Sequence, residues 1–209
     1  MKNIASDGFW ATFFTFCVIF AAFVSFLHPI FNPDLFWHLT SAREAQDLGR
    51  LLLSEEIFSF TRKGAYWVNY EWLFQTIVLK VFDWGDFRAL VYLQGFLLAG
   101  ALILLDRYVF VTILRGRSGI WGMLARVANV ALAGIFLSAR GSLQPELFSF
   151  IFLVLFFFLR DSWSRRPRAL DVWHIVLTLA LFGSWANIHG GFVFAIGLTG
   201  LEIIALGIE

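Results

Sequence analysis

Residues 89–114, ALVYLQGFLLAGALILLDRYVFVTIL, form an apolar run that charged side chains interrupt only towards its carboxyl-terminal end. A helix needs about 20 residues to cross the hydrocarbon core of a bilayer, so this run is long enough to do so. The whole chain has a similar character, because 59% of its 209 residues are hydrophobic, 15% are charged and the mean hydropathy is +0.76. The composition predicts a membrane protein and excludes the disordered, disulfide-stabilised and nucleic-acid-binding classes.

Further apolar runs lie on both sides of this one. We predict six membrane-spanning helices, over residues 9–27, 89–114, 120–137, 146–159, 172–185 and 192–208. No small-x-small cleavage site follows the first run, so we interpret it as a retained anchor and not as a secretion signal. The predicted fold is an all-α, polytopic transmembrane helix bundle that forms one membrane domain over residues 1–209. Because the chain stops within an apolar run, we expect it to be the amino-terminal part of a longer protein.

Lys and Arg residues predict the orientation of this bundle, because cytoplasmic loops near the ends of spans carry an excess of them. With the amino terminus inside, the short inner loops are densely basic, whereas the outer turns between the later spans contain only Arg140. Residues 29–88 and the turns at 138–144 and 187–191 then open on the same outer face. Arg126 lies within the third span, and we expect its side chain to reach the inner headgroups.

The long outer loop at 29–88 contains two predicted interfacial helices, at about 33–48 and 70–82. The first begins at Asn32-Pro33-Asp34, a typical helix start with Asn at the N-cap and Pro at the first helical position. Its apolar residues are mixed with charged ones, as expected for a helix that lies in the membrane interface. These two helices are predicted to cover the outer end of the bundle.

Two candidate site residues lie on one face of the first interfacial helix. Asp34 and His38 are four residues apart, so their side chains are neighbours. A carboxylate and an imidazole at the water–lipid boundary can act as a base or bind a cation. However, an Asp in a first helical turn is more often only stabilising, and a His is more often a structural hydrogen-bonding group. Glu71 is another acid that could approach the same place, although solvated charge is its simplest interpretation.

The other two outer turns are rich in polar residues. Arg140 ends the third span, and Glu146 follows Pro145 at the start of the fourth, where a helix amino terminus favours a carboxylate. The last outer turn has the sequence Asn187-Ile188-His189-Gly190-Gly191. Its adjacent glycines can bring backbone N–H groups close to an anion, or can simply turn the chain, and the sequence favours neither alternative.

Five short motifs occur in order along the chain. They are 32–39 (NPDLFWHL) with Gly49-Arg50 after it, 58–61 (FSFT), 67–73 (WVNYEWL), 144–149 (QPELFS) and 185–192 (WANIHGGF). Together they resemble the motifs of bacterial polytopic membrane proteins related to the GT-C glycosyltransferases. The resemblance implies an enzyme that passes a sugar from a polyprenyl-phosphate carrier to an acceptor on the outer face of the membrane. It also implies an essential acid in the first outer loop, which makes Asp34 the leading catalytic candidate.

On this resemblance, Asp34 takes a proton from the acceptor hydroxyl or orients it, and other polar groups stabilise the phosphate and contact the substrate. The candidates for substrate binding are His38, Arg43, Glu71, Arg140, Glu146, Asn187, His189, Gly190 and Gly191. Members of this class often have two acids close together, whereas Leu35 follows Asp34. The sequence therefore identifies no cofactor and does not support a divalent cation.

The expected partners are the lipid bilayer, which we take to be a bacterial inner membrane, and a lipid-linked sugar donor. The site is expected to face the periplasmic or extracellular side. A net charge of +1 offers no field for a polyanion, so no nucleic-acid partner is expected. The oligomeric state is left open, because spans that contain Gly pack equally well within one chain or between two.

Two other classes of function are open on the sequence. A non-catalytic scaffold or lipid-binding subunit would explain the aromatic content and would need no acid at the outer face. A transporter would need ionisable residues at mid-membrane depth, where only Gln94 and Asn129 are polar. A polar cavity around Asp34 would favour the enzyme, and a filled, dry contact there would favour the scaffold.

Overall fold

A computed structural model describes residues 4–116, 119–139, 142–164 and 172–208. These residues form seven α-helices and one π-helical turn, and no β-strand is present among them. The helices are α1 (Ile4–Ser25), α2 (Asp34–Asp47), α3 (Trp72–Tyr108, continued by the π-helical turn Val109–Ile113), α4 (Ile120–Ala139), α5 (Pro145–Ser164), α6 (Val172–Ala186) and α7 (Phe192–Ile208). The prediction of an all-α fold is confirmed.

Each apolar run of the sequence forms a helix in the structure. Among the described residues, two helical segments are long and apolar enough to cross a membrane, Trp72–Ile113 and Ile120–Ser138. Three other apolar helical segments are shorter, at Phe9–Ser25, Val172–Ala186 and Phe192–Gly207. The positions of the helices therefore agree with the sequence, whereas the number of spans stays a prediction.

A break at Gly85-Asp86 divides α3 into two helices. Gly85 has a φ of −158° and a ψ of 24°, and Asp86 has a φ of 59° and a ψ of −160°, so neither residue continues the helix. The first part, at 72–84, corresponds to the second helix predicted in the loop, and the second part, at 87–108, contains the long apolar run. This break lets one continuous segment supply both a helix of the loop and a helix of the bundle.

The helices pack in three groups, each with its own apolar core. In the first, α1 lies against α4 and the second part of α3, and it buries a set of side chains that includes Ile19, Phe26, Leu98, Leu102 and Val130. In the second, α2 lies on the first part of α3 and on the start of α5, and it buries a set that includes Leu35, Leu39, Phe74, Val78 and Leu147. In the third, α5 packs against α6 and α7 around Phe156, Leu181, Trp185 and Ala195.

Two hydrogen bonds hold the three polar loop regions together at one end of the bundle. The side-chain amide of Asn32 donates to the carbonyl of Leu143, which precedes α5, at 3.4 Å. The backbone N–H of Leu73 donates to the carbonyl of Asn187, in the turn between α6 and α7, at 3.0 Å. As a result, segments more than a hundred residues apart in sequence meet at this end.

The arginine within α4 is buried against a neighbouring helix. Arg126 is only 5% exposed and forms a two-point ion pair with Asp106 of α3, with Nε–Oδ1 at 2.7 Å and Nη2–Oδ2 at 2.6 Å. Its guanidinium also lies over the ring of Phe110. The expectation that this side chain reaches the inner headgroups was therefore wrong, because a buried acid on the neighbouring helix compensates the charge.

Candidate functional site

A polar cavity of about 260 Å³ lies at the end of the bundle where the loops meet. The beginning of α2, the residue before α3, the beginning of α5 and the turn between α6 and α7 all contribute to its walls. Its lining residues are Asn32, Asp34, Trp37, His38, Glu71, Gln144, Pro145, Glu146 and His189. Five of these were candidate site residues on the sequence, and the fold brings them to one place.

The beginning of α2 presents Asp34 to this cavity without using its carboxylate as a cap. The backbone N–H of Asp34 donates to Oδ1 of Asn32 at 3.0 Å, and Pro33 already has helical backbone angles. Asn32 is thus the capping side chain, as predicted. The carboxylate of Asp34 is exposed and has no hydrogen-bond partner within the described ranges, so it is available to a ligand.

His38 lies one turn further along α2 and is 4% exposed. Its ring packs edge-on against Phe74, with centroids 4.9 Å apart, and against Trp37 at 4.7 Å. Burial lowers the pKa of His38 from 6.5 to about 4, although the negative charge of Asp34 opposes this shift. The imidazole is therefore neutral at pH 7. Its Nδ1 atom is buried and has no hydrogen-bond partner in the described part of the chain.

Glu71 immediately precedes α3 and is partly buried. Its burial is the main reason that its pKa is raised from 4.5 to about 7, and the charges of Glu146 and Asp34 add to the shift. The three carboxyl groups of the cavity are thus close enough to influence each other. Since like charges oppose ionisation, Glu71 can bind and release a proton near neutral pH.

His189 is held by a short chain of hydrogen bonds from neighbouring helices. Trp185 Nε1–H donates to Oγ of Ser149 at 2.7 Å, and the Ser149 hydroxyl lies 2.8 Å from Nδ1 of His189. The backbone N–H of Gly191 also donates to this Nδ1, at 3.2 Å. Because Nδ1 accepts both hydrogen bonds, the proton of the neutral ring is on Nε2.

The electrostatics of His189 favour this neutral form. Burial lowers the pKa of His189, and the charge of Glu146 partly opposes the effect. The ring therefore lines the cavity as a neutral imidazole that carries an Nε2–H donor.

Ser149 and Trp185 were not predicted as site residues. Ser149 comes three residues after Glu146, so the helical period places both on one side of α5, and this spacing could have identified it.

Four of the sequence candidates do not line the cavity, and a fifth lies outside the described residues. Arg43 is paired with Asp83 of α3, with Nη1–Oδ2 at 3.2 Å. Asn187 accepts from Nε1 of Trp72 at 2.6 Å and donates to the carbonyl of Gly183 at 2.7 Å, so it fastens its turn to α3. Arg140 is the candidate that lies outside the described ranges.

The two glycines of the last turn differ in their surroundings. Gly191 donates its N–H to His189, and a Cβ at this position would lie 2.7 Å from Oγ of Ser149 and 2.9 Å from Nδ1 of His189. Gly190 is exposed, and a Cβ there would meet nothing within 4 Å. The structure thus favours close packing over anion binding as the reason for Gly191.

The chemistry of the cavity follows from its charged groups. Its lining contains three carboxyl groups and two imidazoles, but no Lys or Arg among the residues that the structure describes. Within the same ranges, no group of three or more His, Cys, Asp or Glu side chains is arranged to bind a metal ion. Such a lining can accept hydrogen bonds from hydroxyl groups and can exchange protons. The Nε2–H group of His189 can also donate a hydrogen bond.

Comparison of the chain with known protein families, curated proteins and solved structures found no match.

Proposed function

We propose that this chain is the catalytic membrane part of a glycosyltransferase that moves a sugar from a polyprenyl-phosphate donor to an acceptor hydroxyl on the outer face of a membrane. In this proposal the apolar helices α1 and α4–α7, together with the second part of α3, are six spans, and the amino terminus is inside. The polar cavity then opens on the outer side, beneath α2 and the first part of α3.

One observation carries the proposal: Asp34, His38, Glu71, Glu146 and His189 line the same cavity. A general base must have a free carboxylate or imidazole beside the reacting hydroxyl, and Asp34 has an exposed carboxylate that no described group occupies. A scaffold would not need an open, acid-lined cavity in this position. The geometry therefore supports the enzyme better than the non-catalytic alternative.

The reaction that fits this cavity is an inverting transfer. The acceptor oxygen forms a bond to the anomeric carbon while the bond between that carbon and the phosphate oxygen breaks. The bonding electrons leave with the lipid phosphate, and the acceptor proton passes to Asp34. His189 donates from Nε2 to an oxygen of the substrate, because its Nδ1 atom is already engaged with Ser149 and Gly191.

The decisive test is transfer by the full-length protein in vesicles, with polyprenyl-phosphate sugars as donors. General base catalysis contributes about 10²–10⁴-fold, so we expect Asp34→Asn to lower kcat by at least about 10²-fold. Asp47→Asn is the matched control, since this carboxylate is exposed at the other end of α2 and does not line the cavity. Unchanged turnover in Asp34→Asn would exclude Asp34 as the base.

A further inference from the structure

A second cavity, of about 490 Å³, lies beside the first at the same end of the bundle. Its walls come from the segment that follows α1 and from the beginning of the second part of α3. The lining residues are Leu27, His28, Pro29, Ile30, Phe87, Arg88, Val91 and Tyr92. Asn32 and Asp34, which line the acidic cavity, come only a few residues after Ile30, so the same short segment forms part of both cavities. We refer to the second cavity as the Arg88 groove.

The Arg88 groove differs from the first cavity in both polarity and charge. Most of its lining is apolar, and no acidic side chain contributes to it. Arg88 has no ion-pair or hydrogen-bond partner in the part of the chain that the structure describes. By contrast, Arg43, Arg50, Arg126 and Arg160 each pair with an acid. His28 donates from Nδ1 to the carbonyl of Pro29 at 2.9 Å and adds a second polar group to the lining.

The polar and apolar parts of the groove are arranged along the helix direction. Arg88 lies just after the break at Gly85-Asp86, at the end of the apolar run, while Val91 and Tyr92 lie about one turn further into it. Leu27 lies just beyond the other apolar helix, α1. A cation therefore lies near the end of the two helices, and an apolar surface continues from it along the bundle.

We propose that the Arg88 groove binds a membrane lipid with an anionic phosphate headgroup. The headgroup contacts the guanidinium of Arg88, which is suited to phosphate oxygens, and an apolar chain lies along Leu27, Ile30 and Val91. Small-molecule sites are typically cavities of about 300–1,000 Å³ with mostly apolar walls and a few polar groups that fix orientation, and this groove has those properties. The inference depends on the proposed membrane placement but not on glycosyl transfer.

The charges of the two cavities suit different ligands. Asp34, Glu71 and Glu146 give the first cavity hydrogen-bond acceptors that suit a hydroxyl group, whereas Arg88 gives the groove a cation that attracts a phosphate. Asp86 is exposed nearby in sequence, but it does not line the groove and forms no ion pair with Arg88 in the described part of the chain. A headgroup with net negative charge is therefore preferred over a zwitterionic one.

Native mass spectrometry of the purified full-length protein with added phosphatidylglycerol or phosphatidylcholine tests the proposal. We expect preferential retention of phosphatidylglycerol, and we expect Arg88→Gln to weaken that preference about tenfold. Arg62→Gln is the matched control, because this arginine is exposed in the outer loop and does not line the groove. Equal lipid preference in the two variants would overturn the proposal.

Two further measurements distinguish the contribution of the lipid chain to binding from that of the headgroup. Val91→Trp fills the apolar part of the groove, so we expect retention of both lipids to fall, with circular dichroism to check that the protein is folded. If this variant does not fold, the comparison of Arg88→Gln with Arg62→Gln still decides the question. Excess inorganic phosphate is expected to leave the bound lipid in place. Displacement by phosphate alone would show a simple anion site and contradict a lipid site.

Discussion

Glu71 is the residue of the acidic cavity whose ionisation changes near neutral pH. Its pKa is 4.5 in the unfolded chain and about 7 in the folded protein. Between these values the unfolded state loses its proton first, so the folded state becomes less stable as the pH rises from 4.5 to 7. We expect Glu71→Gln to raise the free energy of unfolding by about 1 kcal/mol at pH 8. The gain is small because solvent screens a side chain that is only partly buried.

Thermal unfolding at pH 5 and pH 8 measures this effect. The Tm of Glu71→Gln relative to the unaltered protein should be higher at pH 8 than at pH 5. Glu44→Gln, an exposed acid of α2, should show no such difference. His38 has the opposite effect on the pH dependence of stability. Because its pKa is lowered, the folded state becomes less stable as the pH falls from 6.5 to about 4. A pH-independent shift for Glu71→Gln would contradict the assigned ionisation.

Gly191 packs closely against the hydrogen-bonded ring of His189. In Gly191→Ala the new methyl group would meet Oγ of Ser149 and Nδ1 of His189 at less than 3 Å. Overpacking of this kind costs about 1–3 kcal/mol, and here it also displaces the imidazole. We therefore expect lower Tm and lower kcat for Gly191→Ala. Gly190→Ala, where the methyl group meets nothing within 4 Å, should change neither, and equal effects of the two variants would count against this role.

Several features of the site could be predicted from single residues and short spacings, and others could not. Asn32 caps α2 because its side chain acts on a backbone group two residues away, which the local sequence shows. The pairing of Arg43 with Asp83 joins residues forty positions apart and depends on how α2 lies on α3. For the same reason the sequence did not show that Asn187 bonds to Trp72.

At the level of the helices, the break within α3 stores backbone strain in Asp86. Its φ of 59° with a ψ of −160° falls in a region that is almost restricted to glycine, and a residue with a side chain there costs about 1–3 kcal/mol. We therefore expect Asp86→Gly to raise the Tm. Lys80→Gly, at an exposed helical position, is the control and should lower the Tm by the ordinary cost of glycine in a helix, about 1 kcal/mol. A lower Tm for Asp86→Gly would show that the break is not strained.

The bounds of the helices agree with the sequence because apolar runs and helix-start signals act over short distances. The first helix of the loop was predicted at about 33–48 and is observed at Asp34–Asp47. The second was predicted at about 70–82, and the helix begins at Trp72 and is interrupted at Gly85-Asp86. The environment of Arg126 was predicted incorrectly because its partner, Asp106, belongs to another helix, and the charge pattern of a single span cannot show which neighbour it faces.

For the whole molecule, the proposed orientation predicts which loops react with a reagent that cannot cross a membrane. In a Cys17→Ala background, Tyr66→Cys places a thiol at a position that is 82% exposed in the outer loop. Gly119→Cys places one at the other end of the bundle, before α4. In intact cells a membrane-impermeant maleimide should label the first variant, and it should label the second only after permeabilisation. The reverse pattern would invert the orientation, and labelling of both in intact cells would contradict a membrane between them.

The buried pair of Asp106 and Arg126 also has a consequence for biosynthesis. An unpaired Arg or Asp in an inserting helix costs up to about 2.5–3.5 kcal/mol at the helix centre, and less towards the helix ends. The two charges belong to consecutive helices, α3 and α4, so the later helix supplies the counter-ion soon after the earlier one has been synthesised. In the proposed membrane placement, the two helices would therefore enter the lipid as a hairpin, and a nascent chain that ended before α4 would expose an acid that nothing neutralises.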